Sequence, residues 1–257
     1  MSDIGWTERD QDTISPAYAE QVFAAAALGD VATVAAALDR GFDPNSKNGV
    51  NPLLHLPICV DQAEGPDRLA TVELLIGRGA DPERTDAHGW TALLAACDRT
   101  DEDMIRLLLK NGANASACDN KGWSTIHYLT NRQADRELIQ LLVDAEANIN
   151  HRSTDEGNTP LMLAVYHADL ALVHALLDLG ADPMIARKDG LTALHLAAKL
   201  DRVDSAQILL DAGADPNAIG GVTQCPPIHL AAGVGHRQMF ELLLKRGAGI
   251  RAVDRNG

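Results

Sequence analysis

Gly89, Gly122, Gly157 and Gly190 each open the same phrase: glycine, a variable residue, Thr or Ser, a small residue, an apolar residue. The spacings are 33, 35 and 33 residues. A second series, Gly79, Gly112, Gly180, Gly213 and Gly247, recurs at one phase within the same period, usually inside a Gly-Ala-Asp/Asn phrase. Two markers in register restrict the chain to an array of short stacked units, because a unit of this size cannot bury an apolar face alone.

The unit from Gly89 shows how each repeat folds. Thr91 stands where a helix N-cap belongs, its hydroxyl available to an orphan backbone N–H, so helix one starts at Ala92. In the units at Gly49 and Gly157 the pairs Asn51-Pro52 and Thr159-Pro160 take that place, with proline at the first helical position. A polar break from Thr100 to Asp103 precedes Met104, Ile105, Leu107, Leu108 and Leu109, a second amphipathic helix closed by Gly112 at the left-handed C′ position. Small residues on helix one (Ala95, Ala96; Ala197, Ala198; Ala231, Ala232) allow neighbouring layers to approach. The remaining ten residues, Ala113 to Gly122, hold Asn, Asp, Lys and Gly and form an extended finger with a tight turn.

This pattern resembles the ankyrin repeat family. Gly190-Leu191-Thr192-Ala193-Leu194-His195-Leu196-Ala197-Ala198 carries the resemblance, as does Pro227-Ile228-His229-Leu230-Ala231-Ala232 followed by Gly235-His236. The fold expected is an all-α ankyrin-repeat solenoid of helix-turn-helix units with short β-hairpin-like fingers. A polar tail, 1–14, precedes the array at 15–257: a helical pair at 15–48 and repeats at about 49–88, 89–121, 122–156, 157–189, 190–223 and 224–257. The resemblance implies protein recognition without naming a partner, and implies that His127, His195 and His229 bridge backbone groups of adjacent fingers.

Three departures stand out. The unit from Gly49 is seven residues longer than 33, the excess falling in Cys59 to Asp67, with Pro57 expected to cut its first helix short. That loop is either a contact element or a tolerated insertion, since lengthening a loop costs little entropy. The unit from Gly122 places Glu146 where its neighbours have the C′ glycine, at a cost on the order of 1 kcal/mol, so it is expected to be the softest interior layer. The last helix, Met239 to Lys245, keeps an apolar face, so that end is either covered by a partner or continued by further chain.

Composition narrows function. Of the 257 residues 46% are hydrophobic but only 4% aromatic, which suits thin, Ala- and Leu-rich helices. The net charge of −14 is concentrated early: residues 1–89 hold six basic and 15 acidic side chains. No basic run exists to bind phosphate, which argues against nucleic acid. The acidity reads first as solubility and second as steering of a basic partner. Cys59, Cys97, Cys118 and Cys225 lie far apart, without Cys-x-x-Cys spacing for zinc or a disulfide framework. With no secretory pattern and no apolar stretch of membrane length, a cytoplasmic location and no membrane partner are expected. No nucleophile elbow, zinc helix, phosphate loop or dinucleotide fingerprint occurs, so neither enzyme activity, metal nor cofactor is expected. Asp81, Asp182 and Asp215 are read as turn-forming residues that bond to nearby backbone.

The resemblance places a partner in the groove lined by finger tips and the exposed side of helix one. Register then selects His88, Trp90, Asp98 and Arg99; Lys121, Trp123, Asn131 and Arg132; Asp155, Glu156, Tyr166 and His167 as partner-binding. Ala87, Asn120, Asn158, Lys188, Asp189, Leu191, Lys199 and Leu200 fall at the same phase. Trp, Tyr and Arg dominate interface hot spots, although an aromatic after the unit glycine is equally suited to bracing the finger. A folded protein partner, bound by a monomer or in a 1:1 complex, is the expected function. The alternatives are a bacterial immunity or inhibitor protein and the regulatory array of a larger enzyme.

Overall fold

The computed structural model describes residues 15–59, 66–221 and 224–249. Fourteen α-helices lie among them, with no strand longer than an isolated bridge. They fall into two compact units, 1–120 and 121–257.

In the first unit Ser15 caps α1 (Pro16–Leu28) and Asp30 caps α2 (Val31–Asp39). The next pair is α3 (Leu56–Cys59) and α4 (Pro66–Gly77), followed by α5 (Ala92–Asp98) and α6 (Glu102–Lys110). The first helices of successive pairs pack in one row, α1 on α3 on α5, and the second helices in another, α2 on α4 on α6. Leu93 and Leu94 of α5 and Met104, Ile105 and Leu108 of α6 are all fully buried, and the two helices pack together. Thr91 caps α5 as expected, accepting from the Leu94 N–H at 3.3 Å, but α6 starts at Glu102 because Asp101 accepts from Met104 N–H at 3.1 Å. The polar break therefore supplies the cap and the first helical turn.

The helix expected from Pro52 begins one residue later, as a 3-10 turn over Leu53–His55. Pro57 explains that turn. It has no N–H to offer the Leu53 carbonyl, which instead accepts from the Leu56 N–H three residues on. The expected cut is thus an irregular start joined to the short α3. The insertion itself lies outside the described residues, apart from its ends.

The second unit repeats the arrangement with α7 (Thr125–Asn131), α8 (Arg136–Asp144), α9 (Pro160–His167) and α10 (Leu170–Asp178). It continues with α11 (Ala193–Lys199), α12 (Val203–Asp211), α13 (Pro227–Val234) and α14 (Arg237–Lys245). The rows run α7, α9, α11, α13 and α8, α10, α12, α14. Ala197, Ala198 and Ala231 are buried between first helices, whereas Ala232 is exposed, with no further helix packed beyond α13 among the described residues.

The fingers are tied within and between layers. Within one, Asp86 N–H donates to the Trp90 carbonyl at 3.0 Å, while the Asp86 carboxylate accepts from His88 and Trp90 amides. Between neighbours, Asn120 N–H donates to His88 O, Thr154 to Lys121, Lys188 to Glu156 and Gly221 to Asp189, at 2.9 to 3.0 Å. This spacing explains two of the repeat glycines: a Cβ on Gly89 would stand 2.9 Å from Asn120 N, and one on Gly122 would stand 2.7 Å from Thr154 N. Asp81, Asp182 and Asp215 each accept from the amide two residues on, the local turn bonds their phrase predicts.

Candidate functional site

The repeat histidines are part of the frame. His127 and His195 are fully buried. Nδ1 of each accepts from the amide of its own helix cap, Ser124 or Thr192, at 3.2 Å. Nε2 donates to a carbonyl of the next finger, Asn158 O at 2.9 Å or Cys225 O at 3.1 Å. One acceptor and one donor is the capacity of a neutral imidazole, so neither ring has a nitrogen left for a substrate proton. His55 makes the same forward bond, to Arg84 O at 3.0 Å, and burial pulls its pKa down to about 4. Burial lowers His195 as well. The finger following His229 lies outside the described residues.

Within the second unit, α7, α9 and α11 present their exposed sides to a groove of about 400 Å³. Its lining includes Trp123, Asn131, Glu156, Tyr166 and His167 from the sequence expectation, together with Asn158, Lys199 and Leu200 of the same register. Tyr166 is 56% exposed although it is among the largest apolar-bodied side chains of the chain. Its ring sits edge-on to His167 with centroids 5.4 Å apart, and His167 Nε2 lies 3.2 Å from Asn131 Oδ1. Asn131 and His167 end α7 and α9, so this contact holds two neighbouring helix ends in register across the groove.

Trp123 packs within its finger and also lines the groove. Its ring packs on His127 and Tyr128, with centroids 5.9 and 5.6 Å away, which braces its finger, and its other surface lines the groove. Lys121, Arg132 and Asp155 are exposed but lie outside the lining. Ser153 donates a hydrogen bond to the Asp155 carboxylate and holds its pKa below the usual carboxylate range. In the first unit His88 and Arg99 are exposed and Trp90 and Asp98 half-buried.

Met162, Leu163 and Leu196 form the apolar floor and Arg187 one wall, none of them selected by the register reading. Leu163 and Leu196 both stand six residues after their unit glycine, a position that reading passed over. Arg187 lies on the arm of a finger, paired with Asp189 at 2.6 Å and Glu156 at 3.1 Å. The arrangement has an apolar bottom, an aromatic lip and a hydrogen-bonding rim, which suits partner contact. Among the described residues no His, Cys, Asp and Glu group could hold a metal ion, and no helix is long and apolar enough to cross a membrane.

Comparison with known proteins adds sequence and structural relatives. A family profile described as Ankyrin repeats (3 copies) matches residues 58–153, 130–220 and 186–256. The Homo sapiens transient receptor potential cation channel subfamily A member 1 is 30% identical over 210 residues, covering 80% of this chain and 18% of that protein. The Gallus gallus nuclear factor NF-kappa-B p105 subunit is 34% identical over 64% of the chain and 16% of its own length. The Mus musculus B-cell lymphoma 3 protein homolog is 29% identical over 71% of the chain and 40% of its own. The chain thus spans less than half the length of these curated relatives. Among solved structures, the ankyrin repeat domain of Bcl-3 superimposes with a TM-score of 0.76 at 25% identity, covering 91% of this chain and 99% of that one.

Proposed function

Because the chain belongs to the ankyrin-repeat family, whose members act as protein-interaction modules, we propose that it binds a protein partner through the groove of its second unit, without catalysis, in the cytoplasm. The observation that carries this reading is Tyr166, a large ring left 56% exposed at the lip of a groove whose floor is Met162, Leu163, Leu196 and Leu200. An aromatic beside an apolar floor is the kind of place where alanine substitutions cost most at interfaces. His88, Trp90, Asp98 and Arg99 hold the matching register positions of the first unit, and Lys121, Arg132 and Asp155 flank the second as rim contacts.

The test is affinity capture with wild type and with Trp123→Ala/Tyr166→Ala, after circular dichroism shows equal helicity. A protein held by wild type and weakened about 30-fold or more by the double variant, a hot-spot loss of at least about 2 kcal/mol, supports the groove. Equal capture sinks it. A captured enzyme or toxin whose activity stops in a 1:1 complex would single out the inhibitor role. A partner lost only on Trp90→Ala would move the contact to the first unit.

A further inference from the structure

The charges along the groove are not equivalent. Glu156 accepts from Arg187 and from Asn158 Nδ2, each at 3.1 Å, and Arg187 is held again by Asp189 at 2.6 Å. Asp155, beside the lining, already accepts from Ser153 Oγ and from the Glu156 amide. Both carboxylates on this side therefore have their donors. Lys199 is different. It ends α11, lines the groove and is exposed, and among the described residues no carboxylate or carbonyl is bonded to it.

An incoming carboxylate would gain a pair with Lys199 without breaking any internal one, and it would lose little solvation at an exposed ammonium. An incoming cation at Glu156 would sit beside the Arg187 guanidinium, already 3.1 Å from Oε2, and would be repelled by it. The longer-range field does not reverse this preference. Residues 121–257 carry 13 basic and 16 acidic side chains, close to balance, whereas residues 1–120 carry nine and 20. Beyond about 10 Å the remaining imbalance is screened at ordinary ionic strength.

We infer that the groove of the second unit takes a segment of a partner protein that lays apolar side chains on Met162, Leu163, Leu196 and Leu200 and sets an Asp or Glu against Lys199. The inference rests on the groove being the partner site, and it reverses the expectation of a basic partner for this surface.

The test uses a displayed library of random twelve-residue peptides selected on the 257-residue chain. In parallel, selections are run on Lys199→Glu and on Trp123→Ala/Tyr166→Ala. The expected wild-type pool combines bulky apolar residues with Asp or Glu. Its peptides should bind Lys199→Glu about 3- to 10-fold more weakly, the range of an exposed ion pair turned repulsive, and should bind Lys199→Arg unchanged. A pool without acidic preference, peptides indifferent to Lys199→Glu, or no enrichment at all would overturn the inference. Peptides lost on Trp123→Ala/Tyr166→Ala yet indifferent to Lys199→Glu would leave the groove reading standing and remove only the charge preference.

Discussion

At the residue scale, buried imidazoles make this fold sensitive to acid. His55 titrates at about 4 in the folded chain because burial disfavours its charged form, against about 6.5 unfolded. Between those values the unfolded chain binds more protons, so stability rises with pH across the window. The His55 contribution is fully present above about 6.5, falls as pH drops towards 4, and amounts to about 3 kcal/mol. Urea unfolding of wild type should therefore weaken steeply from pH 6.5 to 4.5, and His55→Gln should flatten that slope without abolishing it, since His195 shifts in the same direction. An unchanged slope would show that other groups govern acid unfolding. Backbone strain gives a second residue-level expectation. Ala168 closes α9 at φ 58, a left-handed conformation that costs a non-glycine residue about 1 kcal/mol. Ala168→Gly should raise the melting temperature by about 2–4 °C. Glu146 at φ 65 pays the same cost in the unit from Gly122, as its place in the repeat foretells.

At the element scale, most of what holds the helices was legible in the chain because it is local and periodic. Thr91 and Thr159 announce their caps by position, and the turn aspartates announce their bonds. Less legible were the caps of the second helices, Asp30, Asp101, Asp135 and Asp169, hidden inside polar breaks that look alike whether they are turn or helix. Removing one should be measurable: Asp135→Ala is expected to cost about 1 kcal/mol in denaturant unfolding, and a neutral result would mean the N-terminus of α8 is satisfied by solvent. The groove was half legible. Offsets counted from the unit glycine find Trp123, Tyr166 and His167, which stand at helix ends and finger tips. They miss Leu163 and Leu196, because whether an apolar helical residue is core or groove floor depends on how far the neighbouring helix covers it. Arg187 was missed because its role is set by Glu156, 31 residues earlier in the chain.

At the scale of the whole molecule, stability is expected to be a sum over units and the joints between them. The acid excess is uneven, so salt should act unevenly: raising ionic strength from about 10 to 150 mM shortens the screening length from about 30 to 8 Å. Hydrogen exchange should then slow more in α2, α4 and α6 than in α10, α12 and α14, because self-repulsion is relieved where nine basic side chains face 20 acidic ones. Equal slowing would mean that local pairs such as Arg68–Asp101, at 2.6 Å, already neutralise the first unit. The bond that joins each finger to the next has another consequence. The amides of Thr154, Lys188 and Gly221 reach back to carbonyls at one fixed place in the preceding finger. The layers joined in this way offer the same plug and the same socket, whatever side chains they display. A gene encoding such a chain can gain or lose a layer by duplication or deletion of one period without orphaning either group. Length can then drift separately from recognition, and a surface like that around Tyr166 can be rewritten while the joints stay as they are.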